Sequence, residues 1–430
     1  MIPPYLFFSC NSDFIHRDTS LTLTSKRYNT FTAIFIICFF LLFLISCNRP
    51  QKPLFNRVDS SIITIPQPAL LDKEVEKKLS NGCRLWYDTY LKSSGFNGGI
   101  LVAKNGNIIF EQYKGMAHLG GNDTIKANTP LHIASVSKTF TAMAILKLAQ
   151  DGKLNIDDTL TKYFPSFNYP GITIKNLLSH RSGLPNYLYF MEDLGWNKSD
   201  YIKNQDVLDY LIKRKAEIKN IGLPNRSFNY CNTNYVLLAL LVEKITGIPF
   251  PEYMHKTYFE PLQMRNTFIF TIAESGKITP SYDWRGREIP INFLDEAYGD
   301  KNIYTTPRDL LIWDRALTGS ALFNAATLNL AFTPYSNERP GIKNYGLGWR
   351  MNLYPTGKKM IFHNGWWHGS NAVFIRLIEE DATIIVIGNR YTNAVYKARH
   401  LANLFNYYFD GPSEEEVDSL NQDVHTPPIP

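Results

Sequence analysis

From Phe140 to Ala149 nearly every position is hydrophobic. So continuous a run is no one-sided surface helix. It predicts a helix buried on most sides, ending at Asp151-Gly152, where glycine suits the position just past a helix end. Elsewhere the period is clearer. LLDKEVEKKLSNGCRLWYDTYLK, near the start of the globular part, reads as a helix. GGILVAKNGNIIFEQYKG reads as two strands around Asn105-Gly106, a strong hairpin signal. From about 153 to 280 the pattern is mostly helical with long loops; ITIKNLLSHRSGLP is one such piece and NTNYVLLALLVEKITG, stopped by Gly247, another. IYTTPRDLLIWDRALTG predicts a helix with Pro307 in its first turn. Four strand-like runs follow, YGLGWRMNL, KMIFHNG, NAVFIRLIE and ATIIVIGN, and NAVYKARHLANLFNYYF reads as a closing helix.

This order predicts an α/β (α+β) fold. Strands joined by short turns form an antiparallel sheet, and they come from both ends of the chain. The expected domain spans 70–410, with sheet parts at 70–152 and 281–410 and a helical insertion at 153–280. Residues 48–69, rich in proline and polar side chains, read as a tether, and 411–430 as a polar, disordered tail.

The N-terminus changes the picture. Lys26-Arg27 precede an apolar run from Phe31 to Ile45 that closes on Leu44-Ile45-Ser46-Cys47. The run is short for a spanning helix and suits a secretory signal. A small residue followed by cysteine resembles the bacterial lipoprotein signal, which implies that Cys47 is lipidated, that 1–47 is the signal segment, and that the protein is anchored on the outer side of a membrane in the cell envelope. Of the five cysteines, this leaves Cys83 and Cys231, too few for a disulfide framework, and both are expected free. The net charge of +6 carries no basic block, so nucleic acid is not an expected partner. No C-x-x-C, H-E-x-x-H, Walker A or G-x-G-x-x-G pattern occurs, so neither a metal nor a nucleotide cofactor is expected.

Candidate chemistry lies at the start of the apolar helix. Ser135 and Lys138 are three residues apart and share a helix face. Burial favours a neutral amine, and a neutral amine beside a serine is a general base beside a nucleophile. A serine cap and a snorkelling lysine would look the same. Two later segments add polar groups. Tyr230-Cys231-Asn232 precedes a helix that Asn232 or Asn234 is also suited to cap. His363-Asn364-Gly365 ends a strand, where glycine would let a ligand approach the backbone.

Taken in order, Ser135-Val136-Ser137-Lys138, Tyr230-Cys231-Asn232 and His363-Asn364-Gly365 resemble the S-x-x-K, Y-x-N and H-x-G motifs of the serine β-lactamase and penicillin-binding-protein superfamily, in the branch of class C β-lactamases, D,D-carboxypeptidases and esterases. The flanks ASVSKTFTA, LLSHRSGLP, GDKNIYTTPRDL and YGLGWR agree, and the resemblance covers roughly 75–405. It implies an antiparallel sheet with helices on both faces, an inserted all-helical domain, and a site between them. It implies Ser135 as acylated nucleophile, Lys138 and Tyr230 as sharers of the proton relay, and Asn232, His363, Gly365 and Trp366 as substrate-binding residues, with the backbone N–H groups of Ser135 and Trp366 forming the oxyanion hole.

Two departures shape the functional expectation. His363 replaces the lysine of true class C β-lactamases and, being largely neutral near pH 7, should hold a substrate carboxylate weakly; Lys301 or Arg350 could serve instead. Trp366 and Trp367 should narrow the mouth, with Trp196, Tyr187 and Tyr189 candidates for its wall. The expectation is a membrane-anchored serine hydrolase of amide or ester substrates, D,D-peptidase-like or esterase-like, on a small or peptide substrate of peptidoglycan origin. The alternatives are a class C-type β-lactamase and a non-turnover penicillin-binding sensor.

Overall fold

Hydrophobic alternation organises one sheet with a core on each face. The computed structural model describes residues 62–318 and 322–409. The signal segment with Cys47, residues 48–61 of the tether and the 411–430 tail lie outside them. Helix α1 (Lys73–Tyr90) starts at Asp72, whose carboxylate accepts from the N–H groups of Glu74 and Val75. Strands β1 (Gly98–Lys104) and β2 (Asn107–Lys114) form the expected hairpin. Asn105 and Gly106 both have positive φ, 51° and 76°, the requirement of a tight type I′ turn.

Short strand β3 (Leu131–His132) leads to helix α2 (Ser137–Gln150), the predicted buried helix. Gly152, φ 69°, donates to the Ala149 carbonyl just past its end. Helices α3 (Ile174–Leu178), α4 (Tyr187–Asp193), α5 (Asn204–Lys213), α6 (Asn232–Thr246) and α7 (Phe250–Met254) lie in the insertion, joined by long loops. That insertion is not all helical. Strand β4 (Phe268–Ile269) pairs with β7 (Ile303–Thr305), which also pairs with β3, giving a three-stranded sheet that ties the insertion to the residues before α2. A hairpin of β5 (Ser281–Tyr282) and β6 (Glu288–Ile289) lies between.

Helices α8 (Pro307–Thr318), with proline at its start, and α9 (Ala325–Ala331) precede strands β8 (Lys343–Tyr345), β9 (Arg350–Leu353), β10 (Lys359–Trp367), β11 (Ser370–Leu377) and β12 (Ala382–Gly388). The run predicted as one strand, YGLGWRMNL, is two. Gly346 and Gly348 turn the chain against α9 and α2; a Cβ on Gly348 would lie 2.2 Å from the Ala142 Cβ. The closing segment Asn393–Leu404 is wound as a 3₁₀ helix.

The main sheet has seven strands in the order β2-β1-β12-β11-β10-β9-β8, all antiparallel. Period-two alternation divides its side chains. Ile100, Val373, Ile384 and Phe362 pack on one face beneath α1 and the 393–404 segment. Leu101, Phe374, Ile385 and Ile361 face α2 and the helical insertion. Cys83 and Cys231 are buried in separate cores and free, as expected.

Arg376 on β11 crosses to α8, where it pairs with Asp314, which also accepts from the Thr383 hydroxyl on β12; both charged side chains are almost fully buried. Truncating one partner strands the other. Arg376→Met should cost about 3–5 kcal/mol in urea unfolding, and Asp314→Leu combined with Arg376→Met should recover most of that loss. A double variant no more stable than Arg376→Met alone would contradict this pairing.

Candidate active site

Ser135 lies in the turn between β3 and α2, one turn earlier than the helix proper. Residues Ala134–Val136 form a 3₁₀ turn, and Ala134 takes a positive φ of 47°, uncommon for a residue with a Cβ. The turn is fixed by the Ile133 N–H on the Ile303 carbonyl, 3.0 Å, and the Val136 N–H on the Ile133 carbonyl, 3.1 Å. Ser135 remains partly exposed while its neighbours are buried. Lys138, in the first turn of α2, is fully buried. Its Nζ lies 3.0 Å from Ser135 Oγ and donates to the Asp300 carbonyl at 2.7 Å. The three-residue spacing therefore does bring hydroxyl and amine together.

Tyr230 and Asn232 reach the same place from the insertion. The Tyr230 ring centroid is 5.0 Å from Lys138 Nζ. Asn232 opens α6 and faces the cleft; neither it nor Asn234 caps that helix, because Asn234 is buried on the Ser182 hydroxyl at 2.7 Å. The sequence reading gave no role to His180, although LLSHRSGLP was singled out. His180, buried with φ 55°, accepts the Cys231 N–H on Nδ1 at 3.0 Å and the Asn229 N–H on its carbonyl at 2.8 Å. Its ring packs 4.3 Å from that of Tyr230. It is the splint of the Tyr230 loop.

Strand β10 corrects the expectation for His363. His363 does not line the cleft. It is completely buried, with Nε2 3.2 Å from the Tyr345 hydroxyl and Nδ1 2.7 Å from the Asn364 carbonyl, and lies behind the Tyr230 ring. Burial, with Arg350 and Lys138 nearby, holds its imidazole well below the ordinary value, so it offers a substrate carboxylate no charge. Gly365 lines the cleft, and its missing Cβ also serves the fold. A Cβ there would lie 2.2 Å from the Ile133 carbonyl oxygen, so its absence lets β10 run against the nucleophile turn. Trp366 and Trp367 line the cleft but do not close it. Trp366 Nε1 is tied to the His368 carbonyl at 2.9 Å and Trp367 Nε1 to Asp295 at 2.6 Å, which fixes the rings as walls of a cavity of about 1690 Å³. Tyr189 also lines it, whereas Trp196 bonds the Asp200 carbonyl outside.

The cations that do line the cleft near Ser135 include Arg350 and Lys301. Arg350 stacks over Tyr230, its Cζ 5.0 Å from the ring centroid. Lys301 is buried, within 2.5 Å of the Tyr187 hydroxyl and 3.6 Å of Asp300 Oδ2, and its ammonium lies 4.8 Å from the Trp367 ring centroid. Burial lowers its pKa against the pull of Asp300 and Asp295. Tyr187 is thus no wall residue. It is fully buried, with its hydroxyl between Lys301 and Asp300.

An antiparallel sheet, an inserted helical region, and a serine–lysine pair at the head of the buried helix between them are the framework of an acyl-transfer serine hydrolase. The Beta-lactamase family matches residues 86–408, and the chain belongs to this family of serine β-lactamases and penicillin-binding proteins. It is 29% identical over 363 residues to penicillin-binding protein 4* of Bacillus subtilis (strain 168), covering 79% of each chain. It is 29% identical over 339 residues to protein flp of Staphylococcus aureus (strain MW2), covering 73% of this chain and 64% of that one. The fold is similar to that of a penicillin-binding protein from Bacillus halodurans (TM-score 0.64, 22% identity, 77% of this chain and 99% of that one). It is also similar to that of a D-amino acid amidase from Ochrobactrum anthropi SV3 (TM-score 0.61, 19% identity, 81% and 100%). Serine hydrolase chemistry through an acyl-enzyme is what this family implies.

Three histidines around the site are held neutral by burial: His180 and His363 well below the usual imidazole value, His132 at about 3. As pH falls below about 6.5 the unfolded chain binds protons that the native state refuses, so stability is full above that pH and declines beneath it. Each such histidine should contribute about 1.4 kcal/mol per pH unit to the decline between about pH 6 and 5. Urea midpoints measured from pH 7.5 to 5 test this, and His363→Gln should flatten the slope by roughly one proton. A midpoint that holds or rises on acidification would refute it.

Proposed function

We propose that this protein is a serine hydrolase that cleaves amide or ester acyl donors through an acyl-enzyme on Ser135, D,D-peptidase-like in its chemistry. The observation that carries the reading is the buried Lys138 amine 3.0 Å from the partly exposed Ser135 hydroxyl, at the floor of an open cleft. Ser135 Oγ attacks the acyl carbonyl while Lys138 and Tyr230 take its proton and pass it to the leaving group. The backbone N–H groups of Ser135 and Trp366 receive the oxyanion. Water then releases the acyl group and restores the serine. Asn232 orients the substrate. A carboxylate on the leaving side meets Arg350, a permanent cation, rather than His363. Weak carboxylate binding, expected while His363 stood for the cation, therefore does not follow. The cleft exceeds the roughly 300–1,000 Å³ of a small-molecule pocket, which suits a peptide of peptidoglycan origin better than a bicyclic antibiotic alone.

Ser135→Ala should abolish both turnover and labelling by a fluorophosphonate. Lys138→Ala and Tyr230→Phe should each lower kcat by about 10²–10⁴, and the double variant should lose little more, since the groups act as a unit. The lifetime of a fluorescent-penicillin adduct separates the alternatives. A permanent adduct without amide or ester turnover would make the protein a sensor, and penicillin consumed faster than any amide or ester would make it a β-lactamase.

The reading includes an anchor. Cys47, at the end of the apolar signal, is lipid-modified and begins the mature chain, which places the hydrolase in the cell envelope on the outer side of a membrane, facing its substrate. Several acyl chains on one cysteine would hold it firmly. Cells fed a palmitate analogue should label the wild-type protein and not Cys47→Ala; equal labelling would dismiss the anchor.

A further inference from the structure

The cleft wall includes a side chain to which the acyl-enzyme reading gives no part. Tyr396, half-buried, belongs to the 393–404 segment, and its hydroxyl lies 2.9 Å from the Gly365 carbonyl oxygen. The polarity of this contact is fixed by its neighbours. The Thr392 N–H can only donate, and it donates to Asn371 Oδ1 at 2.9 Å. That turns the Asn371 amide nitrogen, which also only donates, onto the Tyr396 oxygen at 3.0 Å. The phenol oxygen is thus an acceptor on that side, and its own hydrogen goes to the Gly365 carbonyl, which can only accept. Asn371 is completely buried on β11, opposite Trp366, so the chain of three bonds is built into the sheet. Burial pushes the Tyr396 phenol pKa up, which keeps it protonated throughout the neutral range.

The peptide that this chain reaches is the one that matters for catalysis. The Gly365 carbonyl and the Trp366 N–H belong to one planar trans unit and point in opposite directions. Holding the carbonyl therefore aims the N–H, and that N–H is one of the two that receive the oxyanion in the acyl-enzyme reading. The same unit runs against the nucleophile turn, where a Cβ on Gly365 would meet the Ile133 carbonyl oxygen at 2.2 Å. On its other side Trp366 is held by its ring, through Nε1 on the His368 carbonyl and by packing 5.2 Å from Tyr391. A hydrogen bond to a carbonyl draws electrons towards its oxygen and leaves the N–H of that unit a better donor; in a chain, each bond strengthens the next. We infer that Tyr396 is a positioning residue of the oxyanion hole: through the Gly365 carbonyl it aims and polarises the Trp366 N–H while the acyl oxygen becomes negative. Tyr396 touches no reacting atom. The bond-making is unchanged: Ser135 Oγ bonds to the acyl carbon, and the electron pair displaced from C=O settles on the oxygen facing the Ser135 and Trp366 N–H groups.

This inference rests on the acyl-enzyme reading, and the test keeps the two apart. p-Nitrophenyl butyrate is compared with its thionoester, in which C=S replaces C=O, on the wild type and on Tyr396→Phe. Sulfur is a weak hydrogen-bond acceptor, so an effect that passes through the oxyanion hole falls on the ester and spares the thionoester. Tyr396→Phe should lower kcat/KM for the ester by roughly 3- to 10-fold, the worth of one hydrogen bond, and for the thionoester by less than about twofold. The ratio of the two is taken within each variant, so a general loss of rate cancels. Should the variant not fold, replacing Tyr396 by fluorotyrosine, a more acidic phenol of nearly the same shape, should raise the ratio above the wild-type value. Should the wild type turn over neither ester, rates of Ser135 labelling by a fluorophosphonate and by its P=S analogue replace the two esters, with the same change expected in their ratio. A ratio unchanged in Tyr396→Phe, whatever happens to the separate rates, makes Tyr396 a prop of the fold alone and overturns the inference, as does a ratio that fails to rise with fluorotyrosine. Wild-type enzyme that shows neither turnover nor labelling would instead remove the acyl-enzyme reading beneath it.

Discussion

A primary amine buried completely must be given acceptors, and much of the site follows from how Lys138 receives them. One is Ser135 Oγ and the other the Asp300 carbonyl. The serine is placed by a strained turn at Ala134, which survives because β3 and β7 hold its entry and β10 presses on it at a position with no side chain. The carbonyl is placed by the 299–302 loop, and the next residue along donates its N–H to the Ser137 hydroxyl of α2, from Ile303 at 3.1 Å. Each support is an ordinary hydrogen bond or close contact, worth about 1 kcal/mol alone. Their convergence on one amine leaves the catalytic pair little freedom.

Polar groups around this pair are sorted between a bed behind Tyr230 and the wall of the cleft. His180, His363, Tyr345 and Tyr235 form a buried aromatic bed under Tyr230, with imidazoles that stay neutral. Arg350 and Lys301 border the cleft, where charge can meet a ligand. A strand residue such as His363 therefore positions the phenol above it, while recognition passes to residues from other elements.

Ser135 and Lys138 were legible because three residues on a helix is a local relation that packing does not alter. The hairpin at Asn105-Gly106 and the buried α2 were legible for the same reason. His363 was not. Alternation along β10 places it on the site face, but what covers it comes from Tyr230 and Tyr345, far away in the chain. Gly365 was legible only in part, because glycine answers equally to a ligand and to a passing carbonyl, and here it borders the cleft while the Ile133 carbonyl passes close by. The two strands hidden in YGLGWRMNL were merged for want of the helix against which their glycines turn. Asp300 and Tyr187 went unread as a pair, since a charge in a loop looks solvated until its partners are placed.

The strand order bears on how the chain reaches this state. Strand β1 sits inside the sheet, with Gly98 opposite Gly388, so its second edge waits for a partner 290 residues downstream. At synthesis rates of roughly 5–20 residues per second, that wait lasts about 15–60 s. Throughout it, the β1–β2 hairpin exposes a hydrophobic edge able to pair with any extended segment nearby. Closing so long a loop also slows folding. A chain built this way gains from a companion that keeps it extended until its last strands have been made, and is poorly suited to folding piece by piece as it emerges.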